Sequence, residues 1–139
     1  MKIAVSAVGR TLDSQVDQRF GRCPYFLIVD SESLDFEVMT NAAAGAMGGA
    51  GIQAAQSIVG KGVKAVITGN VGPNAFQTLS AAGKVIIVGA SGTVREAIEQ
   101  FKRGELHETK TSTVGGHFGM SQGMGRGQGM GRGQGRKRG

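Results

Sequence analysis

The stretch "VKAVITGNVGPNAFQTLSAAGKVIIVG", residues 63–89, decides the fold because two apolar segments in it flank a helical one. "VKAVITG" (63–69) and "KVIIVG" (84–89) are short and rich in β-branched residues, which is typical of buried strands. Between them, Pro73 suits the first turn of a helix and Gly83 suits its C-terminal end. Two strands joined in this way lie parallel with a right-handed crossover, so the stretch predicts part of a parallel sheet.

The segments on either side complete the pattern. Three further strands are predicted at "KIAVSAV" (2–8), "YFLIVD" (25–30) and "FEVMTN" (36–41), and the last two form an antiparallel hairpin because only the polar link "SESLD" separates them. A helix before residue 63 has its apolar side chains on one face: Ile52, Ala55, Ile58 and Val59. Thr93 and Glu96 form a capping box that opens a last helix, to about Arg103. The order β-β-β-α-β-α-β-α predicts an α/β fold in three layers, with a mixed five-stranded sheet of order 3-2-1-4-5, a ribonuclease H-like layout.

Length and composition indicate one folded domain followed by a tail. A chain of 139 residues is long enough to bury a core, and its single cysteine cannot form an internal disulfide. We find no signal peptide and no apolar run that could span a bilayer, so we expect a cytoplasmic protein. We place the folded, ligand-binding domain at residues 1–110 and the tail at 111–139. Oligomeric state stays open, although an edge strand at 36–41 could pair between chains.

The tail carries most of the positive charge. "GMGRGQ" occurs at 123–128 and again at 129–134, and "GRKRG" follows. Residues 118–139 contain five cations and no acid, which leaves about +1 of the net +6 for residues 1–117. Such a segment has too little apolar surface to offset its chain entropy, so we expect it to be disordered in isolation.

Several chemistries are disfavoured by the residues present. The first strand carries Ser6 and no acid, so a two-metal nuclease site is not expected there. One cysteine excludes a four-cysteine zinc or iron–sulfur site within one chain. "GNVGPNA" lacks the Gly-Lys-Ser/Thr ending of a phosphate-binding P-loop. His107 and His117 lie far from Cys23 in sequence, so an enzyme acting on a small anion through Cys23 is a weaker hypothesis.

Three glycine-containing loops indicate an anion-binding cleft at one end of the sheet. They occupy residues 8–23, 45–51 and 69–75, and the last two place backbone N–H groups at helix N-termini, where negative charge is favoured. Arg19 and Arg22 add charged donors, while the Cys23 thiol and the Met47 thioether suit a metal–sulfur species. Each feature also has an ordinary structural interpretation: an ion pair of Arg19 with Asp13 or Asp17, a Phe20 plug, an inert buried cysteine, or glycines that allow close packing.

Three sequence blocks, "DxRFGRCPYFLIVD", "GGAGIQAAQ" and "VITGNVGPNAFQTLSAAG", closely resemble the dinitrogenase iron–molybdenum cofactor biosynthesis family, which includes NifX-type carriers and the C-terminal domain of NifB-type proteins. The resemblance covers roughly residues 1–104. It implies a ribonuclease H-like fold without nuclease activity, and a non-enzymatic protein that binds, carries or stores a preformed iron–sulfur or iron–molybdenum-type cluster for assembly or acceptor proteins. Candidate cofactor-binding positions are Arg19, Phe20, Gly21, Arg22, Cys23, Gly48, Gly49, Gly51, Gly69, Asn70, Gly72 and Asn74, with Cys23 as a candidate metal ligand.

The tail has three interpretations. It is similar to the cationic glycine-rich extensions of relatives proposed to store iron and sulfide as an anionic thioferrate-like polymer. Arginine–glycine segments also bind single-stranded nucleic acid in a salt-dependent way, although no aromatic residue follows Phe118 to stack on bases. A tail that only improves solubility is the third interpretation.

Overall fold

A computed structural model of the chain describes residues 1–114 and contains five strands and three helices in that range. The strands are β1 (Lys2–Ala7), β2 (Tyr25–Asp30), β3 (Phe36–Thr40), β4 (Ala65–Ile67) and β5 (Val85–Ile87). The helices are α1 (Ala50–Val59), α2 (Pro73–Ala81) and α3 (Val94–Lys102). No helix among these residues is long and apolar enough to cross a membrane.

The predicted α/β fold and sheet order are confirmed. The five strands form one sheet in the order β3-β2-β1-β4-β5. β1 pairs antiparallel with β2 and parallel with β4, and β4 pairs parallel with β5. The first strand, β1, therefore lies in the centre of the sheet.

Helices cover both faces of the sheet. Ala4, Phe26 and Val66 pack with α1 and α2 on one face, where Ala54, Ile58 and Leu79 are also buried. On the other face, Val5, Leu27 and Ile67 pack with Ala97 and Ile98 of α3. Successive side chains of β1 thus belong alternately to the two cores, because successive side chains of a strand point to opposite faces of the sheet.

Two boundaries differ from the sequence prediction for identifiable reasons. Helix α1 begins at Ala50 rather than at Ile52, because Gly49 adopts a left-handed conformation (φ 73°) that starts the helix there. Residues 8–24 form more than a loop. Leu12 and Val16 are buried in the α3-side core, and short bridges join Ala7 to Val16 and Gln15 to Thr93.

The connection from β1 to β2 and the three connections that precede a helix meet at the same edge of the sheet. β1, β3, β4 and β5 run in the same direction, and β2 starts at the end where they finish. Residues 8–24, 41–49, 68–72 and 88–93 therefore lie at this edge, which we call the loop edge. The N-termini of all three helices lie there too, because each helix directly follows one of these connections.

Candidate functional site

Asp17 and Arg19 form a partly buried ion pair at the loop edge. The Arg19 Nε donates to Asp17 Oδ1 (3.2 Å) and its Nη2 to Oδ2 (3.3 Å), while the Arg19 backbone N–H also donates to Oδ1 (2.9 Å). The Asp17 side chain is 3% exposed and that of Arg19 is 43% exposed. The hydrogen bond to Asp17 raises the pKa of Arg19 further, so the guanidinium stays charged at the surface. Of the two predicted partners of Arg19, the structure selects Asp17, and Asp13 pairs with Arg95 instead.

The backbone beneath this pair is fixed by buried hydroxyl groups. Ser6 Oγ on β1 lies 2.7 Å from the Asp17 carbonyl oxygen and 2.8 Å from Thr68 Oγ1. Both side chains are fully buried. Ser6 thus holds the backbone of residue 17 against the sheet. The sequence alone does not indicate this role.

Residues 19–21 cross directly over the starts of α1 and α2. Arg19 forms a parallel bridge with Asn70, and the Phe20 N–H donates to the Asn70 carbonyl oxygen (3.3 Å). A Cβ on Gly21 would lie 3.0 Å from the Gly51 nitrogen, and one on Gly51 would lie 3.3 Å from the Ala75 Cβ. The structure therefore brings predicted residues of all three loops together, and glycine permits the close approach.

The N-termini of α1 and α2 have no side-chain cap, whereas that of α3 has one. The predicted capping box between Thr93 and Glu96 is present at the start of α3, with both of its hydrogen bonds. The Val94 and Arg95 N–H groups donate to the carbonyl oxygens of residues 14 and 12, so the first turn of α3 is fully hydrogen-bonded. Gly49 and Gly72 precede α1 and α2 and offer no side-chain cap. The following backbone N–H groups have no acceptor within residues 1–114: Ala50, Gly51, Ile52, Asn74 and Ala75. Such groups favour anions.

Arg22 organises the neighbouring loop rather than pointing into solvent. Its Nη1 donates to the carbonyl oxygens of Ala44 (3.1 Å) and Ala46 (2.5 Å). Asn41 joins this loop to the backbone around Arg22, because its Nδ2 donates to the carbonyl oxygens of Gly21 (3.1 Å) and Cys23 (2.8 Å). Arg22 does face the glycine-rich turn, as predicted, but its contacts there are with protein carbonyls.

Cys23 and Phe20 belong to the core. The thiol of Cys23 is fully buried and donates to the Phe20 carbonyl oxygen (S···O 3.3 Å). Burial and the nearby Asp17 carboxylate raise the pKa of the thiol well above its ordinary value, so the group is neutral at physiological pH. Phe20 is 2% exposed and packs on Phe26 with ring centroids 5.1 Å apart. In this conformation neither side chain reaches a guest at the surface.

The remaining predicted residues lie around the same edge. Gly48, Gly49 and Asn74 are exposed, and Gly72 is half-buried in front of α2. Gly69 is buried beneath Gln18, where a Cβ would lie 2.7 Å from the Gln18 Cα. Met47 is 90% exposed on the loop before α1. No cluster of three or more His, Cys, Asp or Glu side chains occurs within residues 1–114.

A groove of about 490 Å³ lies next to the loop edge. The outer face of α2 and the C-terminal segment line it, through Pro73, Phe76, Gln77, Ser80, Ala81, Lys110, Thr111 and Ser112. None of the predicted cofactor-binding residues is among them. Beyond residue 110, Thr113 is hydrogen-bonded to Val71. The tail from residue 115 onward, with His117 and its predicted disorder, lies outside the described residues.

Comparison with known proteins identifies relatives of the whole folded body. A family model described as dinitrogenase iron-molybdenum cofactor matches residues 1–104. The apo structure of the orange protein from Desulfovibrio gigas is similar over 81% of this chain and 96% of its own, with 39% identity and a TM-score of 0.79. A Thermotoga structure provisionally described as a NifB protein covers 81% of this chain and 97% of its own (46% identity, TM-score 0.71). An uncharacterized Methanocaldococcus jannaschii protein is 29% identical over 78% of this chain and 95% of its own.

Proposed function

Because the chain belongs to the dinitrogenase iron-molybdenum cofactor family, which indicates a role in metallocluster biosynthesis, we propose that it binds a preformed anionic cluster at the loop edge. The cluster is an iron–sulfur or iron–molybdenum-type species, and it is cargo that the protein carries or stores for assembly and acceptor proteins. We propose no catalytic step.

The observation that carries this proposal is that the N-termini of α1 and α2, which have no side-chain cap, lie beside the Asp17–Arg19 ion pair. The free N–H groups of α1 and α2 lie on one face of the sheet, and the contact between Gly51 and Ala75 keeps the two helix starts together. The partly exposed Arg19 crosses the same region through its bridge with Asn70. Main-chain donors and a fixed cation favour an anion over a neutral guest.

The residues present favour retention of an intact cluster over its assembly. The described residues contain no group of ligating side chains, and the buried Cys23 thiol is not accessible as a thiolate. A cluster that arrives with its own sulfides needs hydrogen bonds and positive charge, which this edge offers, rather than protein thiolates. The orange protein structure is described as the apo form, a term used for proteins that also exist with a bound group. This description supports a binding role for the present chain.

The experiment tests retention of a cluster by the Asp17–Arg19 pair. The protein is expressed anaerobically with iron, sulfide and molybdate, and bound metal and acid-labile sulfide are measured per chain. The double variant Asp17→Asn/Arg19→Gln removes the pair without leaving a lone buried carboxylate. Arg103→Gln, at the far end of α3, is the matched control.

We expect cluster content above background in the parent protein and in the control, and clearly lower content in the double variant, since the charge-assisted hydrogen bonds that it removes contribute roughly 1.5–3 kcal/mol each. Background iron, molybdenum and sulfide in the parent protein would overturn the proposal. Unchanged cluster content in a folded double variant would show that the Asp17–Arg19 pair does not hold the cluster.

A further inference from the structure

The two outer strands of the sheet, β3 and β5, differ in what lies beside them. β5 is bridged to the C-terminal segment through Ile87 and Glu108, and the Thr109 N–H donates to the Ile86 carbonyl oxygen (2.8 Å). β3 pairs with β2 on one side, and no residue of the described range 1–114 pairs with its other side. An outer strand with a free side is a template for pairing with another strand.

The register of β3 shows which of its backbone groups point outward. The Asp30 N–H donates to the Asp35 carbonyl oxygen (2.8 Å), so these two residues form a hydrogen-bonded pair of the β2–β3 ladder. Such pairs recur every two residues in an antiparallel ladder, so the backbone groups of Glu37 and Met39 face β2. The N–H and carbonyl groups that point outward, with no hydrogen-bond partner within residues 1–114, belong to Phe36, Val38 and Thr40.

β3 lacks the features that usually prevent an outer strand from pairing. Its five residues include no proline and no lysine, and its register with β2 contains no bulge. Its single charged residue, Glu37, pairs with Lys61 (3.0 Å). Phe36 and Val38 lie on the α3 side of the sheet, opposite residues 29 and 27, and are 40% and 38% exposed. The strand thus combines free backbone groups with exposed apolar side chains.

We propose that β3 pairs antiparallel with β3 of a second copy of this chain, about a two-fold axis at Val38. In this register Val38 lies opposite Val38 of the second copy, and Phe36 lies opposite Thr40. The outward N–H groups of each copy then donate to the outward carbonyl groups of the other, so every free group of the strand acquires a partner. The exposed apolar side chains of both copies form one row on the α3 side.

The charges favour this register over its neighbours. Glu37 lies opposite Met39 of the second copy, and Asp35 lies opposite a stretch, residues 38–49, that contains no charged side chain. A shift of two residues toward the β2–β3 turn would place the two Glu37 carboxylates opposite each other, which is unfavourable. A shift the other way would leave the backbone groups of Phe36 without a partner in β3.

The pairing leaves the proposed cluster site accessible. Because the two β3 strands run in opposite directions, the loop edges of the two copies lie at opposite ends of one continuous sheet. The inference therefore does not depend on the proposed function, and either can fail without the other.

The first experiment measures the oligomeric state of the full-length chain by sedimentation velocity from about 10 μM to about 1 mM, because an interface of one short strand gives a weak complex. About 0.3 M salt screens the net charge of +6 on each copy. We expect a monomer–dimer equilibrium. Val38→Lys should weaken it at least about tenfold, because two ammonium groups then lie opposite each other. Val8→Lys, at an exposed valine outside β3, is the matched control and should leave it unchanged.

The second experiment tests the register by disulfide cross-linking with diamide as the oxidant. Val38→Cys should form a linked dimer, because opposite Cα atoms lie about 5.5 Å apart, within reach of a disulfide. Phe36→Cys and Thr40→Cys should not cross-link alone, since each residue is displaced by about 13 Å along the strand from its equivalent in the second copy. Mixed together, these two variants should cross-link. Cys23 is buried and leaves the readout undisturbed.

Three results would overturn the inference. One is a chain that stays monomeric up to about 1 mM, and another is a dimer that Val38→Lys does not weaken. The third is equal cross-linking at the three positions, which random collisions produce. A monomeric chain that nevertheless binds a peptide with the sequence of residues 34–42 would show that β3 accepts an extended segment of another protein, and that result also overturns pairing between copies.

Discussion

Gly69→Ala tests whether the loop edge depends on close backbone contact. A Cβ at this position would lie 2.5 Å from the Gln18 Cδ and 2.7 Å from the Gln18 Cα. The Gln18 side chain can rotate away, but its Cα can move only if residues 17–19 shift as a unit. That shift would strain the contact between Ser6 and the Asp17 carbonyl group and the bridge from Arg19 to Asn70.

The expected cost combines overpacking with weakened hydrogen bonding. Overpacking costs about 1–3 kcal/mol and one weakened hydrogen bond adds about 1 kcal/mol, so we expect a loss of about 2–4 kcal/mol in the free energy of unfolding. For a domain of roughly 100 residues this corresponds to a decrease in Tm of roughly 10–20 °C.

The assay is thermal and urea unfolding followed by circular dichroism, with Gly48→Ala as the control. A Cβ on Gly48 meets no atom within 4 Å, so that variant should change stability by no more than about 0.5 kcal/mol. If Gly69→Ala melts within about 2 °C of the parent protein, or if both variants lose the same stability, the claim that backbone contact at residue 18 requires glycine at residue 69 is refuted.

Two further predictions concern side chains in the same region. Because burial raises the pKa of the Cys23 thiol above 9.0, the folded state favours the protonated form, so stability is complete below pH 9 and declines as the pH rises further. Urea titrations from pH 7 to about 11 should show a steeper alkaline loss for the parent protein than for Cys23→Ala, and equal slopes would contradict the buried-thiol explanation. Arg22→Ala removes the donor to the carbonyl oxygens of Ala44 and Ala46, so amide hydrogen exchange in residues 42–49 should accelerate about tenfold while that of β1 stays unchanged. Unaltered exchange would show that another contact orders the loop.

The fold could be predicted because local signals agreed with one another. Pro73, Gly83 and the Thr93–Glu96 capping box mark helix ends through backbone chemistry that acts within a few residues, and all three occur as predicted. The polar link between β2 and β3 similarly predicted an antiparallel pair. Such signals need no knowledge of distant parts of the chain.

The chemistry of the loop edge could be predicted only in part, because the partner of a polar group is chosen in three dimensions. The sequence indicated that Arg19 and Arg22 approach glycine-containing turns, and it offered Asp17 as a partner of Arg19. It did not indicate that Arg22 is directed at the carbonyl groups of Ala44 and Ala46. The contact of the C-terminal segment with Val71 was missed because its hydrogen bond joins residues about forty positions apart and leaves no local pattern.

The different capping of the helices gives the sheet two chemically distinct sides. On the α3 side, the capping box and the carbonyl groups of residues 12 and 14 accept from the N–H groups of the first turn, so that helix start has no main-chain donors to spare. On the opposite side, the two glycine-led helix starts have no side-chain cap. The scaffold is thus polarised across its thickness: within residues 1–114, the helix starts on one side of the sheet have unpaired main-chain donors, and the helix start on the other side has none.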